Sequence, residues 1–305
     1  MRIIPDLIFL ATSHVVSRGY FAVMQSLNLM PERIIYLEFH NSSIQQYNRK
    51  DFRKTVQKGI NEILKCWQNN LRVLLLNFNN KFESQDIIIN EIGSNIINYC
   101  HNKGFLVDFF SKSMLDQLIS AGVNFERKEI ISLNDAEFIE YIRRFPQNYA
   151  LYVEGGILRE SILGTHIRFI HIHPGLVPEM RGTLCLLWSA IVLRKIGGSC
   201  MFLDKGIDTG DIIYQKEYAV PKIPISQKYL SEKFLYCQYK SLEDYLDPII
   251  RADVFRSLLE RYPNPSEWAT MAQGTSGKQY YHPHPALRDK MVSLFYEKIN
   301  KNQGE

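Results

Sequence analysis

Two histidines two positions apart and an aspartate further along are the residues of this chain whose types and spacing best suit chemistry. His171 and His173 stand in the run His171-Ile-His173-Pro-Gly-Leu-Val-Pro178-Glu-Met-Arg181-Gly182, and Asp208 follows within Gly206-Ile-Asp208-Thr-Gly210-Asp-Ile-Ile. Alternate side chains of a strand share a face, so the two imidazoles emerge side by side at a strand end, next to a Pro-Gly turn. A loop that brings Asp208 within reach makes a His–Asp pair, in which the carboxylate fixes the tautomer and favours the imidazolium. Two neighbouring imidazoles will not both be charged near neutrality. Such a trio suits acyl transfer, where a charged donor steadies an oxyanion and a carboxylate takes a proton. It also suits a metal, held by three ligands with one position left open.

The surrounding pattern says which elements carry these residues. Asp6–Thr12, Arg33–Phe39, Arg72–Phe78, Gly104–Phe110, Lys128–Leu133 and Tyr149–Glu154 read as strands. Between them, Ser17–Leu29, Asp51–Gln68 and Asn134–Phe145 have the three- and four-residue apolar spacing of helices. Asn134 with Glu137 reads as a capping box. Strand–helix–strand repetition implies an α/β fold, doubly wound around a mostly parallel sheet. Arg168–His173 is a further strand, and Cys200–Leu203 and Asp211–Val220 flank the turn that carries Asp208. Ligands of open α/β sheets sit beyond the carboxyl ends of the strands, where the pair Gly155-Gly156 and the His-Pro-Gly turn both fall. After Pro221 the spacing turns helical over Ser226–Tyr262. A polar loop, Gln273–Pro285, and a last helix, Ala286–Lys301, follow. The division expected is 1–220 for the α/β part and 221–305 for a mainly helical extension.

Composition narrows the classes. With 305 residues, 46% apolar and 22% charged, the chain has enough material for a large core and none of the bias of a disordered protein. A net charge of +4 requires neither a nucleic-acid nor a membrane partner. Five cysteines without a Cys-x-x-Cys pair read as buried thiols of a reducing compartment. No run of about 18 apolar residues is present, and Pro5 and Asp6 interrupt the apolar start, so neither a membrane span nor a signal peptide is expected. A cytoplasmic protein follows as the expectation. Gly274-Thr-Ser-Gly277-Lys278 lacks the spacing of a phosphate loop, no Gly-x-Gly-x-x-Gly follows the first strand, and Asn41-Ser42-Ser43 is a sequon without secretory context.

The run HIHPGLVPEMRG, then Trp188, then FLDKGIDTGDII, resembles the 10-formyltetrahydrofolate-dependent formyltransferases, the group acting on glycinamide ribonucleotide, methionyl-tRNA and amino sugars. Their pattern is Asn-x-His-Pro, Leu-Leu-Pro and Arg-Gly, with a later Asp-x-Gly. The resemblance is specific between about residues 127 and 215. It implies a Rossmann-type formyltransferase fold and formyl transfer from 10-formyltetrahydrofolate to a primary amine. His173 and Asp208 would be catalytic, with His171 where the family has asparagine. An amide donates at any pH, an imidazole only in the right tautomer or when protonated. The resemblance further assigns Gly155, Gly156, Ile157 and Leu158, with Leu203, Asp204, Gly206 and Ile207, to the cofactor, and Arg181 and Gly182 to the acceptor. No resident metal is implied. A small amine, a nucleotide-linked amino sugar and an aminoacyl-tRNA all remain compatible as acceptors. A folate hydrolase of the same architecture and a metal-dependent hydrolase built on His-x-His and Asp208 are the alternatives. Residues 221–305 match no familiar module; they would select the acceptor or supply a homo-oligomer surface. His282-Pro-His284-Pro reads as a solvated loop or a lid.

Overall fold

The computed structural model describes residues 1–40, 70–153, 156–274 and 277–300. Seven strands form one sheet in the order β3-β2-β1-β4-β5-β7-β8. These are β1 (Arg2–Ala11), β2 (Leu29–Phe39), β3 (Glu126–Ile130), β4 (Tyr149–Leu151), β5 (Arg168–His173), β7 (Lys195–Phe202) and β8 (Ile212–Ala219). The pairs from β3 through to β5 are parallel, and β7 and β8 add an antiparallel flank. The mostly parallel α/β sheet expected from the alternation is therefore present. A separate two-residue pair joins β6 (Arg181–Gly182) to β9 (Gln279–Tyr280).

Alternation along the strands builds two cores. Leu7 and Phe9 of β1, Ile34 and Tyr36 of β2, and Ile170 and Ile172 of β5 enter one cluster. Ile8 and Leu10, Ile35 and Leu37, and Phe169 enter the other. Both faces are apolar because both are covered, which is why these strands read as continuous hydrophobic runs. The first layer holds α1 (Val15–Ser26), α2 (Asn70–His101), α3 (Met114–Ser120), α6 (Cys185–Val192) and the carboxyl-terminal helices. The second holds α4 (Ala136–Ile142) and α5 (Glu160–Leu163).

Four readings are corrected. Arg72–Phe78 lies inside α2, not in a strand. Gly104–Phe110 is no strand either: Gly104, at φ +83°, follows the end of α2, and Asp108–Phe110 is a 3-10 turn. Both neighbours of β1 are already taken, by β2 and β4, so this apolar stretch packs as a loop, with Val107 and Phe109 buried. The helix expected over Ser226–Tyr262 begins as two 3-10 turns. It then runs as α7 (Leu235–Ser241), a π-helical turn at Leu242–Leu246, and α8 (Asp247–Arg261). The N-cap position of α4 is Asp135, while the Asn134 side chain reaches Ile157 O and Arg159 N. The helix expected at Asp51–Gln68 lies outside the described residues.

The last helix, α9 (Pro285–Asn300), sends Met291, Val292, Phe295 and Tyr296 into the first core. His284 accepts from Ala286 N through Nδ1 and closes that helix's first turn. The four described cysteines, Cys100, Cys185, Cys200 and Cys237, are buried and unbridged. Among the described residues no helix is long and apolar enough to cross a membrane.

Candidate active site

β5 sits beyond β4, one strand past the reversal of strand order between β1 and β4, and the carboxyl ends of these strands are where such sheets bind ligands. His171 and His173 fall there, on the same side of the strand as Phe169. Their ring centroids are 6.4 Å apart, and the Tyr152 ring lies 6.2 Å from that of His171.

His173 is only 2% exposed. Its Nε2 lies 3.0 Å from Met180 O, a partner that requires Nε2 to carry the proton. Nδ1 faces Asp208 Oδ2 at 3.5 Å. That is longer than a charge-assisted hydrogen bond, so in the protonated imidazole the Nδ1–H is only partly committed to the carboxylate. Oδ2 itself accepts from Gly182 N at 2.8 Å. Asp208 has φ 54°, in the left-handed region, which aspartate tolerates better than most residues. The turn around it is tied by Asp204 Oδ1, which accepts from Gly206 N (2.9 Å) and Thr209 Oγ1 (2.6 Å).

Burial pulls the His173 imidazole below its ordinary value, against the attraction of Asp208. His171 is driven well below, first by burial, then by the Arg251 charge and by His173. Its Nδ1 is buried without a hydrogen-bond partner. Arg251 in turn is buried, held by Tyr20 OH (3.2 Å from Nε) and by Asp247 (3.7 Å). Burial raises the Asp247 carboxyl to about 6.

The turn after β5 is packed from both sides. Ser199 Oγ donates to Gly175 O (2.6 Å) and accepts from Val177 N (3.1 Å), and Gln215 Nε2 caps Val177 O (2.6 Å). A Cβ at Gly175 would stand 2.8 Å from His173 Nε2, so only glycine lets the imidazole reach Met180.

The two segments assigned to the cofactor come together. Gly156 N donates to Tyr152 OH (3.0 Å), Asn134 holds Ile157 and Arg159, and Lys205 on the second segment forms an ion pair with Glu160, just past the first. Leu158 is buried, whereas Ile157 and Ile207 are 70% and 43% exposed, apolar side chains turned outward at the rim. Gly155 lies outside the described residues. A cavity of about 360 Å³ touches Leu203 and Asp204 but none of the His/Asp trio. It is therefore a feature beside the reactive cluster rather than its cleft.

Three residues of this region escaped the sequence reading. Gln273 Nε2 donates to Asp208 O (3.0 Å) and Gly210 O (2.6 Å), while its Oε1 accepts from Arg181 Nε (3.0 Å) and Nη2 (2.8 Å). Arg181 Nη2 also reaches Gly274 O (3.3 Å). Gly182, at φ +101°, lies against the Tyr280 carbonyl with no room for a side chain. Trp188 Nε1 donates to Tyr281 O (3.2 Å) and its ring meets that of Tyr280. Gln273, Tyr280 and Tyr281 carry no local signal, because an amide or a phenol in a polar loop looks the same whatever it reaches in space. The Pro-Gly turn and Asp-Thr-Gly run, by contrast, announced His173 and Asp208.

Residues 123–243 match the family model described as formyl transferase, which bears out the resemblance read from its motifs. Methionyl-tRNA formyltransferase of Syntrophus aciditrophicus is 32% identical over 92 residues, 29% of this chain and 30% of the relative. Its counterpart from Pelotomaculum thermopropionicum is 34% identical over 94 residues, 30% of each. The chain thus spans about 30% of the length of these curated relatives. Among solved structures, a sugar N-formyltransferase from Shewanella sp. aligns with 95% of this chain and 87% of its own, at 13% identity and a TM-score of 0.47.

Proposed function

We propose that this protein transfers a formyl group from 10-formyltetrahydrofolate to a primary amine, using His173 and Asp208. The observation that carries the reading is the pair itself: His173 Nδ1 stands 3.5 Å from Asp208 Oδ2 at the end of β5, inside the matched segment. The amine nitrogen forms a bond to the formyl carbon, the bond from that carbon to the donor nitrogen breaks, and one proton leaves the amine as one reaches the donor nitrogen. His173 offers Nδ1–H to the oxygen that gathers charge, with Nε2–H kept on Met180 O. Asp208, directly or through a water, takes the amine proton. Although His173 is pulled below its ordinary value, the approach of Asp208 and of a developing oxyanion favours its charged form.

The residues present fit the donor. Gly156–Leu158 and Leu203–Ile207 face one another across the Glu160–Lys205 pair, with exposed Ile157 and Ile207 suited to a flat heterocycle. Once bound there, the folate supplies the activated one-carbon unit. Burial keeps His171 neutral, and its orphaned Nδ1 can serve the formyl oxygen only as a donor tautomer.

The acceptor stays at the level of a primary amine. The relative of Syntrophus aciditrophicus is named for methionyl-tRNA, and a solved N-formyltransferase of Helicobacter canadensis is described as bound to folinic acid and dTDP-3-aminofucose. Spectroscopic turnover of 10-formyltetrahydrofolate by the full chain, with and without a panel of aminoacyl-tRNA, nucleotide amino sugars and small amines, tests the reading. Amine-dependent consumption supports transfer; consumption indifferent to every amine would make the protein a hydrolase. Absence of both turnover and folate binding would overturn the proposal.

A further inference from the structure

The position at which this chain departs from the family pattern adds a third ligating atom to the pair. Ligand atoms of His171, His173 and Asp208 all lie within 4.8 Å of one another. The 3.5 Å between His173 Nδ1 and Asp208 Oδ2 is already close to the edge of a tetrahedron whose metal bonds are about 2.0–2.1 Å long. His171 brings a ring nitrogen within 4.8 Å of both, and its buried Nδ1 has no hydrogen-bond partner.

The surroundings are those of ligands already oriented. The partner of His173 Nε2 is a carbonyl, Met180 O, so in the neutral imidazole the proton belongs there and the Nδ1 lone pair turns toward Asp208. A lone pair facing a carboxylate is repulsive unless a proton or a cation stands between them. Asp208 Oδ2 is steadied by Gly182 N, and Gln273 fixes the backbone of the same turn. The positive charge that acts on both imidazoles, Arg251, is met by Asp247 and Tyr20. Two imidazoles and one carboxylate select zinc-like cations over magnesium or calcium, which prefer all-oxygen shells.

We propose that His171, His173 and Asp208 form a site for one zinc-type divalent cation, and that the cation, by taking the donors that formyl transfer needs, inhibits the enzyme. Binding is independent of the functional reading; the inhibition rests on it.

The test uses the metal-stripped full chain, titrated with zinc against a chromophoric chelator and with cobalt in the visible range. One equivalent should bind, with the d–d intensity of four-coordinate cobalt and no thiolate charge-transfer band. His171→Asn, His171→Ala and Asp208→Ala should each weaken binding by at least about tenfold, while His282→Ala, an exposed histidine elsewhere, and Cys185→Ser, close to the site, leave it unchanged. Circular dichroism checks that each variant is folded. A folded His171→Asn protein with wild-type affinity, or binding that follows Cys185, would overturn the site. Transfer assays form the second arm. Zinc should inhibit the wild type at concentrations that fill the site, and His171→Asn should need at least about tenfold more. Turnover insensitive to a filled site would remove the inhibition. Zinc binding in a protein that neither turns over nor binds the folate would leave the site standing and remove the transferase reading instead.

Discussion

His173 does not have a free nitrogen so much as a half-committed one. Met180 O holds Nε2, and the 3.5 Å gap to Asp208 leaves Nδ1–H available to an oxyanion. Replacing Asp208 by Asn keeps the shape and removes the proton acceptor, so kcat/KM for formyl transfer should fall by about two to four powers of ten while the urea midpoint changes little. His173→Asn should lose a similar amount. A small kinetic effect from both would place the chemistry elsewhere. Gln273 is a positioning residue: Gln273→Ala releases Arg181 and the 208–210 turn together. It should lower kcat about tenfold to a hundredfold with little change in KM for the folate. Equal losses in both constants would argue for a binding role instead. At this scale the pair was legible because its neighbours are special: a Pro-Gly turn that only glycine permits and an Asp-Thr-Gly turn. Gln273 was not, since its partners are set by tertiary structure alone.

Elements explain both what was readable and what was not. β1 and β2 were visible as apolar runs because a parallel sheet covered on both faces leaves little polar alternation. The same rule misassigned Arg72–Phe78, where a short apolar run inside a long helix cannot be told from a strand by period. The helical region 235–261 holds a more specific prediction. The π-helical turn at Leu242–Leu246 leads directly into Asp247 and Arg251, a buried ion pair beneath the site. Asp247 binds its proton more tightly folded than unfolded, with its carboxyl at about 6 instead of 3.8. Its contribution is therefore complete below the unfolded value and is lost as pH rises through about 6. Relative to Asp247→Asn, the wild type should lose up to about 3 kcal/mol between pH 4 and 7. Urea melts of both proteins across that range measure it, and a pH-independent difference would refute the assignment.

For the whole molecule, the question is whether residues 221–305 stand apart. We propose that 1–220 carries the catalytic machinery and that 221–305 is a helical extension docked on it. Phe295 of α9 is 2% exposed in the same cluster as β1, α1 and α8. Phe295→Ala should cost about 3–5 kcal/mol and shift one cooperative transition, followed by tryptophan fluorescence and circular dichroism together. Two separated transitions would mean that the extension folds on its own. Composition offered no sign of this shared core, because burial of Phe295 depends on helices more than a hundred positions away in sequence.

The contacts of Gln273 have a bearing on descent as well as on geometry. The segment matched by the family model, 123–243, ends before Gln273, Gly277 and Tyr280 begin. Yet these residues lie against Asp208, Pro178, Arg181 and Gly182. An exchange of carboxyl-terminal segments between relatives would therefore leave every recognisable motif intact and still change how the aspartate is held. Chimeras joined anywhere between 243 and 273 would inherit the machinery of one parent and the clamp of the other. Function should pass to the offspring only when the incoming segment brings an amide, or its equivalent, to the place of Gln273.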